Sequence, residues 1–97
     1  MVSLWKKYVY AVIYAVSMGE KIKPIQESIR RSLNKYHLSS SKFDRKVSGL
    51  TYNIFRNLGL IDQIIYSMTK INIKEYDLFI RGILRIIAYI YQLDKLS

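Results

Sequence analysis

The chain has no cysteine, one proline, one histidine and four glycines. Lack of cysteine excludes a disulfide framework, a thiolate metal site and a cysteine nucleophile, and it favours a cytoplasmic address. The lone His37 sits in a polar stretch beside Tyr36 and Ser39, a solvated loop position with no partner for acid–base work. Seven carboxylates are too dispersed for metal-ligand spacing, and the glycines never gather into a phosphate-cradling loop. The expectation is therefore a chain without catalysis, cofactor or metal. Arg81 and Arg85 interrupt the longest apolar stretch, which leaves nothing near the roughly 18 apolar residues of a membrane span. Lys6 and Lys7 before Tyr8–Val16 mimic the start of a secretory leader. Their apolar segment is rich in tyrosine rather than leucine, however, and suits a packing helix.

Hydrophobic residues are plentiful, at 51% with nine tyrosines. Few glycines and one proline favour a small number of long helices, and 97 residues suffice for one domain over 1–97. Period and punctuation predict an all-α bundle of about five helices. The first runs over about Ser3–Met18 with a core stripe of Trp5, Tyr8, Val9, Val12, Ile13 and Val16. The second runs from Pro24 to about Tyr36, with Ile25, Ile29 and Leu33 inward and Arg30, Arg31 and Lys35 outward. Ser41 and Asp44 pair a hydroxyl cap with an acid, and the third helix follows to about Asn57, burying Phe43, Val47, Leu50 and Ile54. Gly59 reads as its left-handed stop. A short fourth helix covers Leu60–Met68. Asn72 and Glu75 make a second cap-and-acid pair, opening a last helix over Ile73–Leu93 with Tyr76, Phe79, Ile80, Ile83, Ile86, Ile87 and Ile90 inward.

The net charge is +9, and it is lopsided: residues 1–46 hold ten of the sixteen basic residues but three of the seven acidic ones. Such a field attracts polyanions. On the predicted helices, cations alternate with aromatic rings. Lys6, Lys7, Tyr10 and Tyr14 share a strip of the first helix, Arg30 and Arg31 crowd the outside of the second, and Arg45, Lys46, Tyr52 and Arg56 occupy the third. Lysine and arginine release counterions on meeting phosphates, and exposed rings stack on unpaired bases. RNA is the expected partner. Lys6, Lys7, Tyr10, Tyr14, Arg30, Arg31, Arg45, Lys46 and Arg56 are its candidate contacts. Two other readings stay open. One is a helical module for an acidic protein surface. The other is a small helix-turn-helix DNA binder reading with Arg45, Asn53 and Arg56. No helix pairs a broad apolar face with a continuous basic one, so a membrane surface is not expected.

Several segments carry a family likeness. Asp44-Arg45, Leu50-Thr51-Tyr52-Asn53-Ile54-Phe55-Arg56, Leu60-Ile61-Asp62 and Ile83-Leu84-Arg85-Ile86-Ile87-Ala88-Tyr89, with Ala11-Val12-Ile13-Tyr14 matching more loosely, resemble the NusB-like domain. The likeness is to the version that precedes the catalytic domain of Fmu/Sun-type RNA 5-methylcytosine methyltransferases. It implies a helical bundle that binds ribosomal or transfer RNA, acting with a methyltransferase or a ribosomal protein, in RNA modification or transcription antitermination. It also implies phosphate contacts from Lys6 and Lys7, and a structural role for Arg85 against Asp62 or Asp44. Departures are Asn57-Leu58-Gly59, where the family continues with basic residues, and Ile87, where it has glycine. The family would also continue into a further helix after Ser97. That predicts apolar surface on the last helix, open to another protein or to a second copy of the chain.

Overall fold

Ser3 starts the first helix. Its hydroxyl accepts the Lys6 backbone N–H at 3.2 Å, satisfying a free donor of the first turn of α1 (Leu4–Met18). The computed structural model describes residues 3–93, and the expectation of one domain over 1–97 extends at both ends to residues outside these. Beyond α1 lie α2 (Ile25–Lys35), α3 (Asp44–Arg56), α4 (Leu58–Thr69) and α5 (Leu78–Ala88). A single 3-10 turn, Ile73–Glu75, precedes α5, and a π-helical turn, Tyr89–Leu93, follows it. The described residues contain no strand, so the all-α bundle of five helices is as predicted. No helix among them is long and apolar enough to cross a membrane.

The centre of the bundle is α1, which packs on α2, α3 and α5. Its buried residues are Ala11, Val12, Ala15, Val16 and Ser17. The stripe predicted from the large residues is thus rotated: Trp5 and Val9 are exposed, while two alanines are fully buried. Small side chains let α2 approach closely. Ser32 and Ser28, one turn apart on α2, donate their hydroxyls to the Ala11 and Ala15 carbonyls. Gly19 caps the end of α1 in a right-handed conformation, and glycine is required there for space rather than for backbone freedom, because a Cβ would run into the Phe55 ring. On α3 the predicted Phe43, Val47 and Ile54 are buried, with Leu50 half-buried. Ser41 accepts the Phe43 N–H and Asp44 the Ser40 N–H, so the cap pair works one turn ahead of the helix.

Two predicted boundaries moved. Gly59 is no left-handed stop: α4 begins at Leu58 and Gly59 lies in its first turn, with Asn57 alone joining α3 to α4. The left-handed residue in that region is Lys70, which caps the end of α4. The Asn72–Glu75 pair does form a reciprocal capping box, but around the 3-10 turn. Tyr76 then turns extended, and α5 starts afresh after Asp77. Arg81 makes this break stable, because its guanidinium donates to the carbonyls of Tyr76 (2.8 Å) and Lys74 (3.0 Å).

The inward face of α5 is the main correction. Gly82, Arg85, Ala88 and Tyr89 are buried, whereas Phe79, Ile80, Ile83, Ile87 and Ile90, expected inside, are exposed. Two contacts set this rotation. Gly82 abuts Ser17 so closely that a Cβ would meet its Oγ at 2.0 Å. Arg85, 3% exposed, is drawn in by two carboxylates. It chelates Asp62 through Nε (2.9 Å) and Nη2 (3.0 Å) and donates Nη1 to Glu20 at 2.5 Å. Arg81, one turn earlier, holds the other oxygen of Glu20 at 2.8 Å. Burial disfavours the charge on Arg85, yet its bonds to Asp62 and Glu20 outweigh that and raise its pKa. Burial of Glu20 is likewise outweighed by Arg85 and Arg81, and its pKa is lowered.

Candidate nucleic-acid interface

The nine candidate contacts do not form one continuous patch. They fall into groups that different elements position. The first group lies between the first turns of α1 and the end of α2. Tyr10 and Tyr14, one turn apart, both reach Tyr36, with ring centroids 6.1 and 6.4 Å away. Lys35, the last residue of α2, sets its ammonium 5.9 Å from the Tyr14 ring and 5.8 Å from the Tyr36 ring. A cation over the negative face of two rings is held there without losing its charge. Lys7 lies on the same side of α1, half-buried, and Lys6 is exposed in the first turn.

A second group joins α1 to the start of α3. Tyr8 stacks on Phe43 at 5.0 Å, and Trp5 tilts against both at 5.4 and 6.3 Å. Lys42 and Lys46 stand over the Phe43 ring at 5.4 and 5.6 Å. Among the predicted contacts Lys46 belongs here. Arg45 and Arg56 are exposed on α3, three turns apart, and no ion pair holds either among the described residues. The third group is partly neutralised. Glu27 takes Arg30 through both oxygens (2.9 and 2.5 Å) and Arg31 at 2.9 Å, and these two arginines hold its carboxyl down to about 2. Three charges therefore leave a net of one on this exposed face of α2.

The sequence reading missed Lys35, Tyr36 and Lys42. Trp5 and Phe43 were both assigned to the core because aromatic residues at helical spacing usually pack there; Phe43 is buried there and Trp5 is exposed. A visible signal was the placement of Lys42 and Lys46 one before and three after Phe43, flanking it on both sides. Lys35 and Tyr36 fall where α2 ends, and their meeting with Tyr10 and Tyr14 depends on how α2 lies on α1, which the buried serines fix. Among the described residues no three His, Cys, Asp or Glu side chains gather where they could hold a metal ion. Eight lysines and arginines of the N-terminal half, Lys6, Lys7, Lys21, Lys23, Lys35, Lys42, Arg45 and Lys46, have no carboxylate in salt-bridge contact among the described residues.

No family model matches the chain, and no curated protein does. Its fold is similar to that in the crystal structure of PH0851, with a TM-score of 0.82 and 28% identity over 91% of this chain. The match occupies 20% of that chain, so this protein spans about a fifth of the length of PH0851. The likeness supports the helical fold.

Proposed function

We propose that this chain is a NusB-like RNA-binding module without catalysis of its own, which serves RNA modification or antitermination in the cytoplasm beside a methyltransferase or a ribosomal protein. The observation that carries the reading is the pairing of unneutralised cations with aromatic rings on α1, α2 and α3. Lys35 over the half-buried rings of Tyr14 and Tyr36, beside the exposed Tyr10, offers phosphate charge and base-stacking surface side by side, and Lys42 and Lys46 over the buried Phe43 add phosphate charge. Support for the family comes from the motif residues. Asp62 of Leu60-Ile61-Asp62 and Arg85 of Ile83-Leu84-Arg85 bond to each other, as expected of positions that specify one packing. The likeness to PH0851 adds that this fold occurs as one part of a much longer chain.

The test is binding to structured RNA, single-stranded RNA and duplex DNA across a salt series. Affinity for RNA should exceed that for DNA and fall steeply with salt. Lys6→Ala with Lys7→Ala should reduce the log–log slope on single strands by about 1.4, at about 0.7 for each phosphate no longer neutralised. Equal weak binding to all three nucleic acids, or an unchanged slope in the double variant, overturns the proposal.

A further inference from the structure

A helix that is apolar on every side is normally buried on every side, and α5 is not. Its only charges, Arg81 and Arg85, turn inward onto Glu20 and Asp62. The outer half carries no charge. Ile80, Ile83, Ile87 and Ile90 run down it at 3-4-3 spacing, all of them exposed, the repeat with which one helix pairs with another. Phe79, Leu84 and Ile86 flank this seam, where pairing helices usually carry the charges that select a foreign partner.

The surface has a ridge and two hollows. On one side of the isoleucine ridge is an apolar groove of about 370 Å³ against α1 and Leu50 of α3, walled by Trp5, Val9 and Val12. On the other is a groove of about 310 Å³ against α4, walled by Ile65 and Met68, and Ile87 borders both. A two-fold interface needs a surface that is complementary to itself, and a ridge beside a groove of matching apolar lining meets that need. Trp5, Val9, Phe79, Ile83, Ile87 and Ile90 are between 38% and 62% exposed. At roughly 200 Å² of full surface each they present on the order of 600 Å², and Ile80 adds to it. That approaches the ~800 Å² each partner contributes to a stable interface, and it stands at the upper end of the roughly 300–600 Å² that the largest patch of a monomer leaves in water.

The geometry points to a second copy of this chain as the occupant: a two-fold dimer in which each α5 ridge seats in the other's groove between α1 and α5. Cations do not oppose it locally, since the seam holds none. The net charge of +9 per copy acts from the other faces and is weakened by salt. Association should therefore tighten as salt rises, through screening and stronger apolar burial, which is the opposite of the response predicted for RNA.

Sedimentation and light scattering of the whole chain, without nucleic acid, from about 1 to about 200 µM should show a monomer–dimer equilibrium. The melting temperature should rise with concentration. Raising salt from about 0.1 to about 0.5 M should shift the equilibrium toward dimer. Ile87→Glu should sediment as a monomer with unchanged helical circular dichroism, while Arg30→Ala should dimerise normally. A wild type that is monomeric throughout overturns the inference, and does so whether or not Ile87→Glu folds. So does a dimer that dissociates in high salt, or one that survives a folded Ile87→Glu; none of these outcomes bears on RNA binding.

Discussion

Replacing Arg85 with leucine should be the most damaging single change in the bundle. The guanidinium is 3% exposed and serves two carboxylates from different elements, Glu20 after α1 and Asp62 on α4. Leucine removes the charge and keeps most of the apolar volume, so the loss reports the ion pairs more than a cavity. Breaking one side of a buried pair costs about 3–5 kcal/mol. The low end applies here, because Glu20 keeps Arg81 at 2.8 Å and the Asp62 side chain, 26% exposed, can partly rehydrate. A loss of about 3 kcal/mol is a large share of the roughly 5–15 kcal/mol that holds a domain together. It should lower the melting temperature by about 12–24 °C. The assay is urea and thermal unfolding followed by circular dichroism at pH 7. Adding Asp62→Asn to Arg85→Leu should recover part of the loss. The pH dependence has a definite sign. Glu20 has a folded pKa below its ordinary 4.5, so its stabilisation is present above that value and is lost as pH falls through the folded pKa. Wild-type stability should therefore drop below about pH 4.5 more steeply than that of Arg85→Leu. A loss under about 1 kcal/mol, the worth of an exposed pair, would refute the reasoning.

Gly82→Ala should cost about 1–3 kcal/mol by overpacking against Ser17, and Ser17→Ala in the same chain should relieve part of it by removing the nearest atom. Alone, Ser17→Ala should be neutral or stabilising in urea melts, since its buried hydroxyl finds no hydrogen-bond partner among the described residues. Glu27→Gln frees Arg30 and Arg31 on an exposed face of α2. It should tighten RNA binding and steepen its salt slope by about 0.7 for each additional phosphate that the freed arginines neutralise. Unchanged affinity would place both arginines outside the interface.

The fold was legible where one residue type decides an element. The start of α1 next to Ser3, the Asn72–Glu75 box and the buried run Phe43, Val47, Ile54 all follow from local chemistry. It was less legible where two elements decide together. Ala11, Ala15, Ser28 and Ser32 look like filler in the sequence, and only the packing of α1 on α2 makes them core. Half of the candidate interface was readable as cations beside rings. The rest, Lys35 on Tyr14 and Tyr36, needed residues some twenty positions apart to meet.

The error on α5 is of a different kind, and it ties the two surfaces of the molecule together. Hydrophobic period locates a stripe, and assigning it to the core assumes that water lies on the other side. Here the other side is a glycine and two arginines whose partners, Glu20 and Asp62, come from other elements. A helix whose polar face is satisfied inside the bundle has no further use for that face in water, so its apolar stripe is left outside. The same arrangement removes Glu20 and Asp62 from the surface electrostatics by binding each to arginine. The cations of α1, α2 and α3 then face solvent with few competing carboxylates, and the apolar face of α5 stays free of charge. A single internal network thus separates a cationic, ring-lined surface suited to phosphates from an uncharged one suited to another helix.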